Sequence, residues 1–244
     1  EPVHNLVLRY LLEKKGVTFA SHRPADEQTT EFFASTDNWF RPVETRTGPD
    51  GALWIVDMYR FVIEHPMWIP AGRLAKLDVR AGDDKGRIYR VYPKGEKLQP
   101  LQDLTKIKTT KLVALLETSN GTERDLIHRE LYQRNHVLPG SPRQNPDLAA
   151  IEPLKILTVT TKNHAVKIQA LSALDGLNAL PADLVIAALK DSDEHVRENA
   201  IRLSEPFLRA NDSAVGEALL QFANDSEYRV RFQLALSLGE WNDP

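Results

Sequence analysis

The sequence predicts an α+β multidomain chain: a partial β-propeller of one to two antiparallel blades, then an α-solenoid of helical repeats. Three observations carry that expectation. A tight turn, Thr47-Gly48-Pro49-Asp50-Gly51, feeds the apolar run Ala52-Leu53-Trp54-Ile55-Val56. Near Leu98 the hydrophobic period changes from that of strands to that of helices. Finally, Asp191-Ser192-Asp193-Glu194-His195-Val196-Arg197 returns 34 residues later as Asp225-Ser226-Glu227-Tyr228-Arg229-Val230-Arg231.

In chain order, Val3 to Glu13 and Val17 to Ser21 flank Lys14-Lys15-Gly16 and read as a hairpin, although Leu8 to Glu13 also suits a helical turn. Residues 23–31 are polar and loop-like. In the turn that follows, Pro49 presets φ, Asp50 can bond its own backbone and Gly51 accepts the left-handed conformation. Ala52 to Val56 is apolar on both faces, which predicts a strand covered on both sides. With Phe40 to Thr45 and Gly86 to Tyr92 it predicts one antiparallel sheet of about four strands, the unit of a propeller blade. Between Arg60 and Gly86 lies a long connection holding Glu64-His65-Pro66-Met67-Trp68-Ile69-Pro70 and a short helical pattern from Leu74 to Leu77. It reads as an ordered insertion over one rim of the sheet.

The expected domains are residues 1–97 for the blades, 98–108 for a linker and 109–244 for the helical repeats. Weaker copies of the repeat end in Val166-Lys167, with Thr161 at the aspartate position, and in Glu123-Arg124 after Thr118-Ser119. Each copy joins two amphipathic helices: Leu184 to Leu189 precedes the third and Ala200 to Leu203 follows it. Aspartate or serine caps the second helix, valine enters the core, and arginine bonds neighbouring carbonyls or the aspartate of the next repeat. One such hairpin cannot bury its apolar stripe, so at least about three must stack.

Composition narrows the functions. The chain has 244 residues, a net charge of −3, and 42% hydrophobic and 27% charged residues, which gives no global pull toward nucleic acid. With no cysteine it has no disulfide, thiolate nucleophile, zinc-thiolate site or C-x-x-C-H haem attachment. No apolar run reaches the roughly 18 to 20 residues of a membrane span. No P-loop, dinucleotide fingerprint, G-x-S-x-G or H-E-x-x-H motif occurs. The chain opens on Glu1-Pro2, not methionine, which reads as a processed or excised piece.

The helical copies look HEAT-like. Ala170 to Leu177, Val196 to Leu203 and Arg229 to Glu240 resemble one bacterial family more specifically, as do Glu1 to Val7, Ser35 to Val43 and Val62 to Pro66. The family is that of membrane-bound dehydrogenases of planctomycete and verrucomicrobial type. It joins a glucose/sorbosone-dehydrogenase-like propeller to HEAT repeats and usually a c-type cytochrome. The resemblance implies the end of a propeller plus the first HEAT repeats of an exported or periplasmic protein. It also implies a sugar or polyol oxidised with PQQ and calcium by the full-length protein, and haem c on another segment. No cofactor is expected within this chain.

Several residues are candidates for chemistry. His65 beside Glu64 reads either as an acid/base pair or as a loop histidine bonded structurally before Pro66. His4 and Asn5 stand at a strand end, where they either line a propeller mouth or cap the strand. Asp57 and Arg60 close the central strand, as pocket residues or as a salt bridge. Asp37-Asn38-Trp39-Phe40 reads as a sugar-stacking platform or as buried blade-edge aromatics. Asp78, Asp83 and Asp84 lack EF-hand spacing, and no metal site is assigned. His128, His136, His164 and His195 read as surface residues. The expected partner is a protein on the repeat surface, with no nucleic acid and no membrane span.

Overall fold

The computed structural model of the chain describes residues 1–136 and 146–241. It divides into two compact units, Glu1–Leu101 and Gln102–Pro244, with the division inside the stretch expected as a linker.

The first unit holds seven short strands: β1 (Leu6–Val7), β2 (Leu11–Lys15), β3 (Thr18–His22), β4 (Phe33–Ala34), β5 (Pro42–Thr47), β6 (Leu53–Asp57) and β7 (Arg87–Val91). β2 and β3 form the expected hairpin, turning through Gly16 at φ 58°. The main sheet is an antiparallel β5-β6-β7 meander of three strands, not four. Asn5 lies in the left-handed region at φ 60° just before two-residue β1, which pairs with β4 in a separate two-stranded sheet.

The turn into β6 forms as its residues dictate. Gly51 N–H bonds Gly48 O at 3.0 Å, and Gly51 takes φ 86°. Asp50 is buried and accepts from Ala52 N–H and from the Trp54 indole, and Arg90 pairs with its second oxygen. Burial alone would raise the Asp50 carboxyl. The Trp54, Ala52 and Arg90 bonds outweigh it and hold the carboxyl below its usual range.

The expectation that β6 is covered on both sides is corrected. Ile55 is fully buried opposite its cross-strand partner Tyr89, whose ring meets Phe40 edge to face with centroids 5.8 Å apart. The opposite face leaves Val56 and, on its neighbour β7, Ile88 in water. The unit has one aromatic layer, on one side of the sheet. The connection between β6 and β7 is ordered, with a 3-10 turn at Pro66–Trp68 and one helical turn, α1 (Ala71–Leu74).

The second unit is helical: α2 (Thr109–Leu115), α3 (Gly121–Asn135), α4 (Ile151–Thr160), α5 (His164–Gly176), α6 (Ala182–Leu189), α7 (Glu194–Leu203), α8 (Glu205–Arg209), α9 (Ser213–Leu220) and α10 (Tyr228–Ser237). Consecutive helices pair as hairpins α2/α3, α4/α5 and α6/α7, and the second helices stack in the series α3, α5, α7, α10. α9 lies against α6, extending the layer of first helices. This is the solenoid arrangement, in which each hairpin buries its stripe only against its neighbours. Val166, Val196 and Val230 are all 0% exposed, as valine at the repeat position requires. No helix among the described residues is long and apolar enough to cross a membrane.

Candidate functional site

In the sheet unit a cleft of about 370 Å³ opens beside the β6–β7 connection, lined among others by Asn5, Asn38, Arg41, Glu64, Trp68 and Arg73. Arg41 organises it. Its guanidinium donates to the carbonyls of Pro2, Val3, Arg60 and Phe61, gathering the amino-terminal turn and the connection. Trp39 stacks on Tyr59 and Phe61 with centroids 5.5 and 5.8 Å away. Trp68 stands exposed at the rim.

The sequence candidates are mostly occupied by backbone. His65 Nδ1 accepts Met67 N–H at 3.2 Å and caps the 3-10 turn, while the Glu64 carboxylate accepts Ile63 N–H. Each side chain is turned onto its own chain. His4 is exposed, 3.6 Å from the Glu1 carboxylate, and the Asn5 amide donates to Phe40 O. Asp57 does not pair with Arg60. Its buried carboxylate accepts Arg41 N–H at 2.7 Å and Tyr59 N–H at 2.9 Å, and takes Arg87 Nε at 2.9 Å. Arg87 also lies 3.8 Å over the Tyr59 ring. Burial would lower the Arg87 guanidinium, but Asp57 outweighs it and holds the cation. Arg60 donates instead to Arg80 O.

Phe40 belongs to the buried aromatic layer, whereas Trp39 remains partly accessible. Asp78 accepts Arg80 N–H and Asp84 pairs with Lys85, so these carboxylates form no cage. Among the described residues, no three His, Asp or Glu side chains converge as metal ligands.

The helical unit carries the more regular chemistry. Thr118, Thr161, Asp191 and Asp225 each accept, through the side chain, the N–H two residues on. That bond shapes the loop so that the next polar residue caps the second helix: Asn120, Asn163 and Asp193 each accept two N–H groups of the first turn. Six residues after each loop position stands a cation, Arg124, Lys167, Arg197 or Arg231. Arg197 bonds Asp191 O and Ser192 O of its own loop, then reaches Asp225 of the next with two bonds of 2.8 and 3.0 Å. Lys167 reaches Asp191 at 2.5 Å. Hairpins are thus joined by a ladder of charge-assisted bonds beside the apolar spine.

One histidine departs from its expected surface role. His128 on α3 bonds Gln169 on α5 at 2.6 Å, and burial holds its ring below the usual imidazole range. His136 stacks on Tyr132 at 3.8 Å. His164 and His195 stay half exposed near carboxylates.

Between α4 and α6 lies a groove of about 190 Å³, lined by Val159, Leu171, Leu184, Ala187 and Ala188 and rimmed by the Lys167–Asp191 pair. Val159 and, one turn earlier, Ile156 are exposed on α4. The volume is comparable to the ~150 Å³ cavity that accepts a benzene ring. Sequence reasoning did not find this groove. Its signal would have been Ile156 and Val159 at helical spacing outside the stripe of Leu154 and Thr158.

Residues 1–95 match a family model described as a domain of unknown function (DUF7133). No curated protein matches the chain. Among solved structures, the chain is similar to an engineered protein at 18% identity, covering 54% of this chain and 61% of that one, with a TM-score of 0.38. It is also similar to computationally designed armadillo repeat proteins for modular peptide recognition, at 16% identity over 55% and 64% of the two chains, with a TM-score of 0.40. In both cases the chain spans less than two thirds of the solved structure's length.

Proposed function

We propose that the helical unit is a HEAT-type protein-binding scaffold whose α4–α6 groove seats an apolar side chain of a partner. The observation that carries this reading is Ile156 and Val159 standing in water beside a groove floored by Leu171, Leu184 and Ala188. Large exposed apolar side chains flanking an apolar recess are the composition of an interaction site. Panning a displayed random peptide library on the purified chain tests it. Enriched sequences should share a leucine or aromatic residue and lose binding to Val159→Glu. Enrichment indifferent to Val159→Glu and to Ala187→Trp overturns the reading.

A second reading, for the sheet unit, is that it is one blade of a β-propeller. It is supported by Val43, Val56 and Ile88, exposed on a three-stranded antiparallel sheet with open edges. On this reading the parent is an exported, quinone-dependent dehydrogenase of glucose/sorbosone type, acting on a sugar or polyol. Among the described residues no three His, Asp or Glu side chains converge, so no calcium ligand is assigned to them. Given PQQ, calcium, a panel of aldoses and an artificial electron acceptor, the intact parent should reduce the acceptor. Silence across the panel removes the enzyme and leaves the scaffold.

A further inference from the structure

The cleft beside the β6–β7 connection is used by neither reading above, yet its walls are fixed by bonds within the unit. Arg41, itself buried, ties Pro2 and Val3 to Arg60 and Phe61, and Val3 and Phe61 line the cleft. The stretch carrying Glu64, Trp68 and Arg73 is held by its own turns. His65 Nδ1 accepts Met67 N–H, Ile69 N–H bonds Pro66 O at 3.1 Å, and Arg73 N–H bonds Pro70 O at 2.8 Å. The resulting recess of about 370 Å³ is of the size that takes a small molecule.

The lining carries charge of both signs. The Arg73 guanidinium has no hydrogen bond or ion pair among the described residues. The Glu64 carboxylate has one described bond, from Ile63 N–H at 3.3 Å. The two charges therefore share a cleft without neutralising each other. Beside them Trp68 is 75% exposed, a large apolar surface left in water. A face that packs on a further blade is apolar, as Val43, Val56 and Ile88 are. Burying Glu64 and Arg73 unpaired under such a blade would be costly, whereas a ligand that answers both charges removes that cost.

We propose that this cleft binds a small zwitterion, a molecule carrying an ammonium and a carboxylate on one apolar body. Arg73 takes the carboxylate, Glu64 takes the ammonium, and Trp68 covers the apolar body. The fork of a guanidinium matches the two oxygens of a carboxylate, and an indole offers a broad apolar face. A neutral sugar would leave both protein charges unanswered. The proposal depends on neither the α4–α6 groove nor the blade reading.

The probes are L-phenylalanine, whose charges are adjacent, and δ-aminovalerate, whose charges are separated, each titrated into the full chain by calorimetry. Saturable binding of at least one is expected, weakened about tenfold or more by Arg73→Gln or by Glu64→Gln. Esterifying the ligand's carboxylate should cost as much against the parent chain and nothing further against Arg73→Gln. Acetylating its amine should show the same relation to Glu64→Gln. Trp68→Ala should weaken the bound probe, and Val159→Glu should leave it untouched, which separates this cleft from the groove. Because Glu64, Trp68 and Arg73 are exposed, circular dichroism of these variants should match the parent chain. Absence of saturation with both probes overturns the proposal, as does binding indifferent to both charge changes. So does D-glucose binding as tightly as either zwitterion, since it would show that the charges do not select the ligand.

Discussion

Arg197 and Arg231 occupy the same place in successive hairpins, yet their removal should cost very different amounts. The Arg197 pair with Asp225 is largely withdrawn from water, and Arg197→Ala would leave that carboxylate with Glu227 N–H and the weaker influence of the Arg231 charge. Breaking such a pair costs roughly 2–4 kcal/mol. Arg231→Ala leaves no buried charge behind and should cost under about 1 kcal/mol. Urea denaturation of the two variants decides between them, and equal losses would refute the ladder's energetic role. The same pairs set a pH dependence. Burial alone would raise Asp191 and Asp225, but Lys167 and Arg197 hold both below the ordinary value of 3.8. A depressed carboxylate contributes stability that is present above the unfolded value and lost as pH falls through the folded one. The urea midpoint should therefore drop as pH falls below about 4, less steeply in Arg197→Ala. This comes in addition to the loss below about 6.5 that His128, held neutral by burial, contributes in both.

At the scale of the element, α9 shows how a local preference is overruled by packing. Glycine inside a helix is about 1 kcal/mol less favourable than alanine, so Gly216→Ala would ordinarily stabilise. Here a Cβ at position 216 would run into the Trp241 ring, where overpacking costs about 1–3 kcal/mol. The net expectation is a lower melting temperature, with red-shifted tryptophan emission as Trp241 leaves its seat. An unshifted spectrum with higher stability would show that the ring is not held there.

That contact was not legible in the sequence, because nothing periodic links Gly216 to Trp241 across the hairpin. The hairpins themselves were legible, since each repeats the same loop, valine and cation, and Val196 and Val230 sit where that pattern puts them. Arg41 and Asp57 were harder. Their partners are backbone groups from separated segments and, for Asp57, the Arg87 guanidinium, brought together only by the fold. His65 was singled out by residue type, while its bond to Met67 N–H depends on a turn that the dipeptide Glu64-His65 does not announce.

Taken whole, the two units differ in what they bury. In the first unit the buried apolar residues among those described are Val7, Phe40, Ala52 and Ile55, with Pro24 and Pro42. The second has two continuous cores, one around Leu112, Ile127, Leu154 and Leu174, the other around Leu189, Ile201, Leu208 and Leu219. A three-stranded sheet with so small a core is marginal alone, whereas stacked hairpins reinforce one another. Residues 102–244 produced by themselves should keep their helical circular dichroism and unfold cooperatively. Residues 1–101 by themselves should exchange their β6 amides within minutes and associate through Val43, Val56 and Ile88, the association weakening on Ile88→Lys. Slow exchange at β6 in a monomeric 1–101 fragment would mean that the sheet needs no neighbour on its open face. The blade reading would then lose the observation that supports it.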